Sequence, residues 1–211
     1  MRAVRGLPEP LPAGERLLWQ GTPDWRLLAQ RALHVRKFAL YFALVIAWVG
    51  NSSIQSGAPF AETALAVGRG LGLAAVPLAA ILLYAWAIAR STVYTLTDKR
   101  IALRTGLALP LTINIPFARI ETAAVAAQRD GSGDLSIALA GKDRLAYLVL
   151  WPHARPWRLA RAEPSLRAIR DVEKIAVMLA RALAASAEMA APVLDAPSYA
   201  APASASAQIA A

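Results

Sequence analysis

Two long runs of apolar residues dominate the first half of the chain. Residues Leu71–Ala89 form nineteen consecutive positions without a charged side chain, and a helix of that length rises roughly 28 Å, about the hydrocarbon thickness of a bilayer. A second uncharged stretch, Phe38–Ala61, precedes it and begins with the almost wholly apolar sequence FALYFALVIAWVG. The pattern predicts two membrane-spanning helices within residues 38–90, preceded by an N-terminal segment over residues 1–37.

Positive charge flanks this hairpin on both sides but is nearly absent from its connection. The fifteen residues before Phe38 hold four cations and one acid, and so do the fifteen residues that start at Arg90. Residues 51–70 hold one cation and one acid. Because cytoplasmic loops carry the excess of Lys and Arg, both termini are predicted to lie in the cytoplasm.

Small residues recur along the second span, at Gly68, Gly70, Gly72, Ala75 and Ala79. Small side chains let a neighbouring helix approach closely within a membrane. Two interpretations follow: either the first span packs on this surface, or a helix of another membrane protein does.

Short apolar runs with a period of two follow the hairpin. Turn residues separate them, and the sequence DGSGD at 130–134 is a strong hairpin signal. Their close spacing predicts antiparallel pairing, because parallel strands need longer connections. We therefore expect an antiparallel sheet or barrel of about seven strands over residues 91–186, with runs at 93–97, 101–103, 111–115, 120–128, 135–139 and 145–151.

A helical period ends this domain. Apolar residues recur every three or four positions from Leu166 to Leu183, and Pro164 suits a first helical turn. One long helix is predicted to cap the open end of the sheet. Residues 187–211 are rich in Ala, Pro and Ser and contain no Lys or Arg, a composition typical of a disordered tail.

Composition narrows the classes of partner. The 211 residues carry a net charge of +9 and include no cysteine, which excludes disulfides and thiolate metal sites. A basic protein with two apolar spans suits anionic lipid headgroups, so nucleic acid is not expected as a partner.

The motifs give no support to an enzyme. No P-loop, nucleophile elbow or zinc-protease motif occurs. The two histidines, His34 and His153, have no metal-ligating residue at a suitable spacing, and the aspartates of the strand region lie in turn contexts. We expect neither catalysis nor a cofactor nor a metal site.

The segment from Trp151 to Arg170 is the strongest candidate for a binding surface. It combines two tryptophans and five arginines with a single acid, Glu163, and Trp and Arg are enriched at binding hot spots. In the simpler alternative, the tryptophans pack on the sheet and the arginines line a solvated helix. The predicted partner- or lipid-binding residues are Trp151, His153, Arg155, Trp157, Arg158 and Arg161.

Several segments resemble the bacterial PH-like domain family that follows membrane spans. These are STVYTLTDKRIALRTG, INIPFARIETAAV and GSGDLSIAL, together with the earlier segment LPAGERLLWQGTPDW. The resemblance implies the pleckstrin-homology-like fold, a seven-stranded antiparallel structure with a C-terminal helix. Matching positions include Tyr94, Thr97, Arg100, Ile101, Gly106, Pro116, Ile120, Gly131 and Gly133.

The block Leu150–Ile169, LWPHARPWRLARAEPSLRAI, is more specific. With the spans and the N-terminal segment, it resembles the PuhB family of photosynthetic complex assembly proteins of purple bacteria. This resemblance implies a non-enzymatic factor of the inner (intracytoplasmic) membrane that binds reaction-centre or light-harvesting subunits transiently.

Two alternatives to such a factor remain at this point. In the first, the domain is an anionic-lipid-binding module. In the second, the chain is a structural scaffold that forms a homodimer through its spans.

Overall fold

The computed structural model describes residues 9–107, 110–141, 147–155 and 162–190. Five helices and seven strands, together with a 3-10 turn at Phe117–Arg119, occupy this part of the chain. In chain order they are β1 Leu17–Gly21, α1 Trp25–Arg31, α2 Val35–Gln55, α3 Phe60–Ser91, β2 Val93–Thr97, β3 Arg100–Thr105, β4 Leu111–Pro116, β5 Ile120–Ala127, β6 Gly133–Leu139, α4 Tyr147–Leu150, β7 Ser165–Ile169 and α5 Val172–Ala190.

The predicted hairpin corresponds to α2 and α3. Both helices are long and apolar enough to cross a membrane, and little of either is buried inside the protein. Glycines bring the two helices together, since a Cβ added at Gly70 would lie 3.0 Å from Ile46 and one at Gly50 would lie 3.3 Å from Val67. Helix α3 continues beyond its apolar run and reaches β2 through Thr92 alone.

Two antiparallel sheets form the domain, with strand orders β1-β2-β3-β4 and β5-β6-β7. Strand β1 precedes the hairpin, yet it pairs with β2, which follows the hairpin, so that Trp19 lies opposite Leu96 and Gly21 opposite Tyr94. No strand was predicted in this N-terminal segment. The first sheet therefore contains one strand from before the hairpin and three strands from after it.

The core lies between the sheets and α5. The apolar face of α5 contributes Val172, Ile175 and Leu179, which are 3% exposed or less, and the sheets contribute Tyr94, Ile101, Leu103, Leu135, Ile137 and Leu166. These observations confirm the predicted fold of about seven antiparallel strands with a C-terminal helix.

The start of the final helix was predicted wrongly. Residues 165–169 form β7, which pairs with β6 through Leu166 opposite Leu135, and the helix begins at Val172. Asp171 has a positive φ of 53°, a backbone conformation that separates the strand from the helix. The spacing of Leu166, Ile169 and Val172 fits a helix, but hydrogen bonding to β6 decides the conformation.

A second local prediction was also wrong. The expected strand at 145–151 is helical over its described part, as α4. Leu150 of this short helix is fully buried and packs with Ala154 and Ala162, so the segment forms a small core of its own beside the sheets. Of the predicted tail, residues 187–190 belong to α5, and residues 191–211 lie outside the described residues.

Candidate functional site

Helix α1 attaches the N-terminal side of the hairpin to the domain. Its Leu28 is 1% exposed and packs with Ile88 of α3 and Ala168 of β7. Asp24 caps the helix by accepting a hydrogen bond from the backbone N–H of Arg26 at 2.8 Å, and it also accepts one from Arg170 Nε at 3.0 Å. Both ends of the hairpin are therefore fixed to the same face of the domain.

The pKa of Asp24 reflects its contacts with α1 and Arg170. Burial acts to raise the pKa of Asp24, but the hydrogen bond from Arg170 and those from the N-terminal N–H groups of α1 lower it below its ordinary value. A second ion pair joins Arg31, in the last turn of α1, to Asp130 of the β5–β6 turn at 3.1 Å. The ion pairs of Asp24 with Arg170 and of Arg31 with Asp130 thus hold the two ends of α1 against the domain.

Trp151 lies where the domain meets α3. Its indole stacks on the ring of Tyr84, with centroids 5.7 Å apart and planes inclined by 22°, and 44% of the residue stays exposed. Because Tyr84 belongs to α3, this contact joins the Trp151 segment to the hairpin. The stacking surface is thus a helix, whereas the simpler sequence interpretation placed the tryptophan on the sheet.

His153 lies behind Trp151 and is completely buried. Its Nδ1 is 2.9 Å from Tyr94 Oη and its Nε2 is 3.1 Å from Thr92 Oγ1, so both ring nitrogens are hydrogen-bonded to β2 or to the residue before it. Burial, with a smaller effect of the Arg167 charge, lowers the pKa of His153 to about 3. The imidazole is neutral near pH 7 and, because it is buried, it does not reach the protein surface.

Arg167 completes the buried network from β7. Its backbone N–H donates to Tyr94 Oη at 3.1 Å, its guanidinium donates to the carbonyl of Pro152 at 3.3 Å, and its Nε is 3.4 Å from Asp134 Oδ2. The network therefore connects the Trp151 segment, β2, β6 and β7. Within the described part of the chain, the buried Arg167 Nε makes no hydrogen bond of its own, so the other contacts hold the cluster together.

The remaining predicted site residues divide into two groups. Arg155 donates to Glu163 Oε2 at 2.8 Å, and its backbone N–H donates to the Glu163 carbonyl at 2.9 Å. The contact leaves 38% of the Arg155 side chain exposed. Trp157, Arg158 and Arg161 lie outside the described residues, so their role in binding stays a prediction.

A groove of about 600 Å³ opens between the hairpin and the Trp151 segment. We call it the junction groove. Its walls come from the turn between α1 and α2, the first turn of α2, one face of α3, and Trp151. The lining residues are Ala32, Leu33, His34, Phe38, Ala80, Ile81, Tyr84 and Trp151.

Phe38, Tyr84 and the alanines of this groove were not among the predicted site residues. An aromatic residue near the end of a span is common at any membrane interface, so neither residue carried a specific signal. Packing of α2 on α3 brings the start of one helix beside the second half of the other, and the return of the chain from β6 to β7 adds Trp151. Among the described residues, no group of three or more His, Asp or Glu side chains could hold a metal ion.

Comparison with known proteins adds two findings. The profile of the family described as "Bacterial PH domain" matches residues 41–183, a range that begins within α2 and includes all of α3 and strands β2 to β7. A protein of Rhodobacter capsulatus described as "Uncharacterized 23.7 kDa protein in puhA 5'region" is 40% identical over 180 residues, which cover 84% of this chain and 83% of that protein. No solved structure matches the chain.

Proposed function

The chain belongs to the bacterial PH domain family, and on that basis we propose that it is a membrane-anchored assembly factor for the photosynthetic reaction centre and its light-harvesting complex, of the PuhB type. PH-like domains are generally non-catalytic modules, and no enzyme family is indicated. The relative from Rhodobacter capsulatus is encoded near puhA, a photosynthesis gene. In the proposal, the protein binds reaction-centre or light-harvesting subunits transiently and performs no catalysis.

The proposed location is the inner (intracytoplasmic) membrane, with both termini and the PH domain in the cytoplasm. Two observations support it: α2 and α3 are apolar and mostly unburied, and the flanking segments carry the excess of positive charge. A tag at the C-terminus should then be accessible only from the cytoplasmic side.

The observation that carries the proposal is the attachment of the hairpin to the domain at both ends. Helix α3 passes into β2 through one residue, and α1 docks on α3 and β7 just before α2 begins. Because the spans and the domain are attached to each other at two points, a partner that contacts both would be held in one orientation relative to this protein. Such an arrangement suits a protein that positions another membrane protein.

The outer face of α3 is a suitable contact for helices of the partner. Whereas Gly70 packs on α2, a Cβ added at Gly68 or Gly72 would meet no atom within 4 Å. Gly68, Gly72, Ala75 and Ala79 are all exposed and follow one another at intervals of three or four residues, so they share one side of the helix. In this proposal, Gly70 serves the packing of the two spans, and the exposed small residues serve the contact with a partner helix.

Replacing Gly72 by leucine should leave the fold intact, because no protein atom occupies the space around its Cβ. The larger side chain should keep a partner helix at a distance. We expect the variant Gly72→Leu to capture about tenfold less of the reaction-centre and light-harvesting subunits, which corresponds to about 1.4 kcal/mol. The measurement is affinity capture from membranes during induction of photosynthesis, with the bound subunits quantified.

The matched control is Leu73→Phe, which adds bulk at an exposed position on a different side of α3. It should capture the subunits at the wild-type level. Equal capture by wild type and Gly72→Leu would remove the helix contact from the proposal. Equal loss in both variants would indicate a general effect on the spans.

The domain side of the proposal depends on the arginines and tryptophan beyond Trp151. We expect the double variant Trp157→Ala, Arg158→Ala to fold normally, judged by its thermal unfolding, and to assemble reaction centres at most about one tenth as fast as the wild type, the effect of one lost hot-spot contact. Reaction-centre absorbance after induction gives the rate. Assembly at the wild-type rate by a normally folded variant would contradict a binding role for this segment.

A further inference from the structure

The junction groove is not used by the proposed contacts to protein subunits. A second groove, of about 460 Å³, continues it along α2 and is lined by His34, Lys37, Phe38, Tyr41 and Phe42. The two share His34 and Phe38, so they adjoin at these two residues. Volumes of this size are typical of sites for small molecules.

The polar groups of this surface are concentrated at one end. His34 and Lys37 lie at the start of α2, and their side chains make no hydrogen bond or ion pair within the described part of the chain. No described Asp or Glu lines either groove. Among the residues that the structure describes, this end of the surface therefore has no carboxylate as a counter-charge.

The apolar part runs from this end into the expected membrane. From His34 to Phe42, α2 rises roughly 12 Å, which passes from headgroup level towards the acyl chains. Phe38 and Tyr84 provide walls along this path, and Trp151 covers the groove from the side of the domain. A ligand that fits has an anionic group at one end and an apolar chain at the other.

We propose that this surface binds one anionic phospholipid of the cytoplasmic leaflet. The ammonium group of Lys37 and an N–H of His34 contact the phosphate, and one acyl chain lies along Phe38, Tyr84 and Trp151. The site is built by the turn between α1 and α2, by α2 and α3, and by Trp151, outside both sheets, so the strands and α5 alone do not contain it. The lipid would fill the gap between the hairpin and the Trp151 segment and stabilise their relative position.

The test measures lipid retained by the purified full-length chain. The protein is reconstituted in nanodiscs that contain phosphatidylglycerol and phosphatidylcholine in equal amounts, then released and weighed by native mass spectrometry. We expect one retained phosphatidylglycerol molecule in preference to phosphatidylcholine. The variant Lys37→Gln should retain about fivefold less phosphatidylglycerol, the effect of one lost cation near an anionic surface, and Lys37→Arg should restore retention.

Arg36→Gln provides the matched control. It also removes one positive charge, and Arg36 is adjacent to Lys37 in the sequence but lines neither groove. It should retain the lipid as the wild type does. Equal losses in Lys37→Gln and Arg36→Gln would show general surface attraction and overturn the site, and so would equal retention of the two lipids by the wild type. Since no photosynthetic protein is present, a failure here is distinct from a failure of the proposed function.

Discussion

Residues 92–190, produced without the rest of the chain, should lack a cooperative unfolding transition. All five residues of β2 are buried, and β2 needs β1 as its neighbour on one side. Without β1, the backbone groups of β2 on that side become an open edge, which promotes aggregation. The core also loses Trp19, which packs against it.

The expected loss is large compared with the stability of a small domain. Truncating a fully buried tryptophan typically costs about 3–5 kcal/mol, and the partly buried Trp19 should account for a part of that cost. Total stabilities are about 5–15 kcal/mol. The lost ladder hydrogen bonds and the exposed apolar surface add to this. The isolated segment should therefore tend to aggregate, and its circular dichroism signal should decline gradually on heating.

The matched control restores β1 without the hairpin. Gly21 lies opposite Tyr94, so the end of β1 and the start of β2 are adjacent in space. Joining residues 9–22 to residues 92–190 through Gly-Asn-Gly makes a hairpin loop of ordinary length. This fusion should unfold in one sharp transition, and cooperative unfolding of residues 92–190 alone would show that β1 is dispensable.

Acidification should destabilise the protein through His153. The unfolded chain binds a proton at this histidine below about pH 6.5, whereas the folded protein, in which burial lowers the pKa of His153 to about 3, does not. Stability is therefore fully present above about pH 6.5 and falls by about 1.4 kcal/mol per pH unit as the pH drops towards 3. At pH 4.5 the loss from this group is about 3 kcal/mol.

The variant His153→Gln separates this effect from that of the carboxylates. Asp24 and Asp130, whose pKa values the folded state lowers, also destabilise the protein as the pH falls, and they do so equally in both proteins. The variant should be less stable at pH 7.5, because hydrogen bonds to Tyr94 and Thr92 are lost or weakened. Its stability should then fall less steeply between pH 6.5 and 4.5 in urea titrations of the detergent-solubilised protein. Parallel curves would mean that His153 is protonated in the folded state.

Much of the fold could be predicted because its elements have strong local patterns. The apolar runs of α2 and α3 and the alternation in β2, β3 and β6 depend on neighbouring residues alone, and the structure confirms them. Residues 165–169 could not be predicted in this way, because their apolar spacing is compatible with a helix and only β6 makes them a strand. The role of β1 was missed for a similar reason, since its partner lies seventy or more residues away along the chain.

For the candidate site, the sequence pointed to Trp151, His153 and Arg155 as one cluster of unusual composition. Tertiary contacts then gave each a different position: Trp151 stacks on Tyr84, His153 is buried behind it, and Arg155 pairs with Glu163. Residue types determine which contacts are chemically possible, but burial and partners depend on elements that are distant in sequence.

By itself, the sequence determined that the chain has two apolar helices followed by an antiparallel, positively charged domain, because hydrophobic periodicity and net charge are properties of consecutive residues. Tertiary structure decided that the segment before the hairpin completes the domain behind it, and that Phe38, Tyr84 and Trp151 meet in one groove. The physical reason is that strand pairing and side-chain packing join residues far apart in the chain, and their free energy depends on the folded arrangement of both partners.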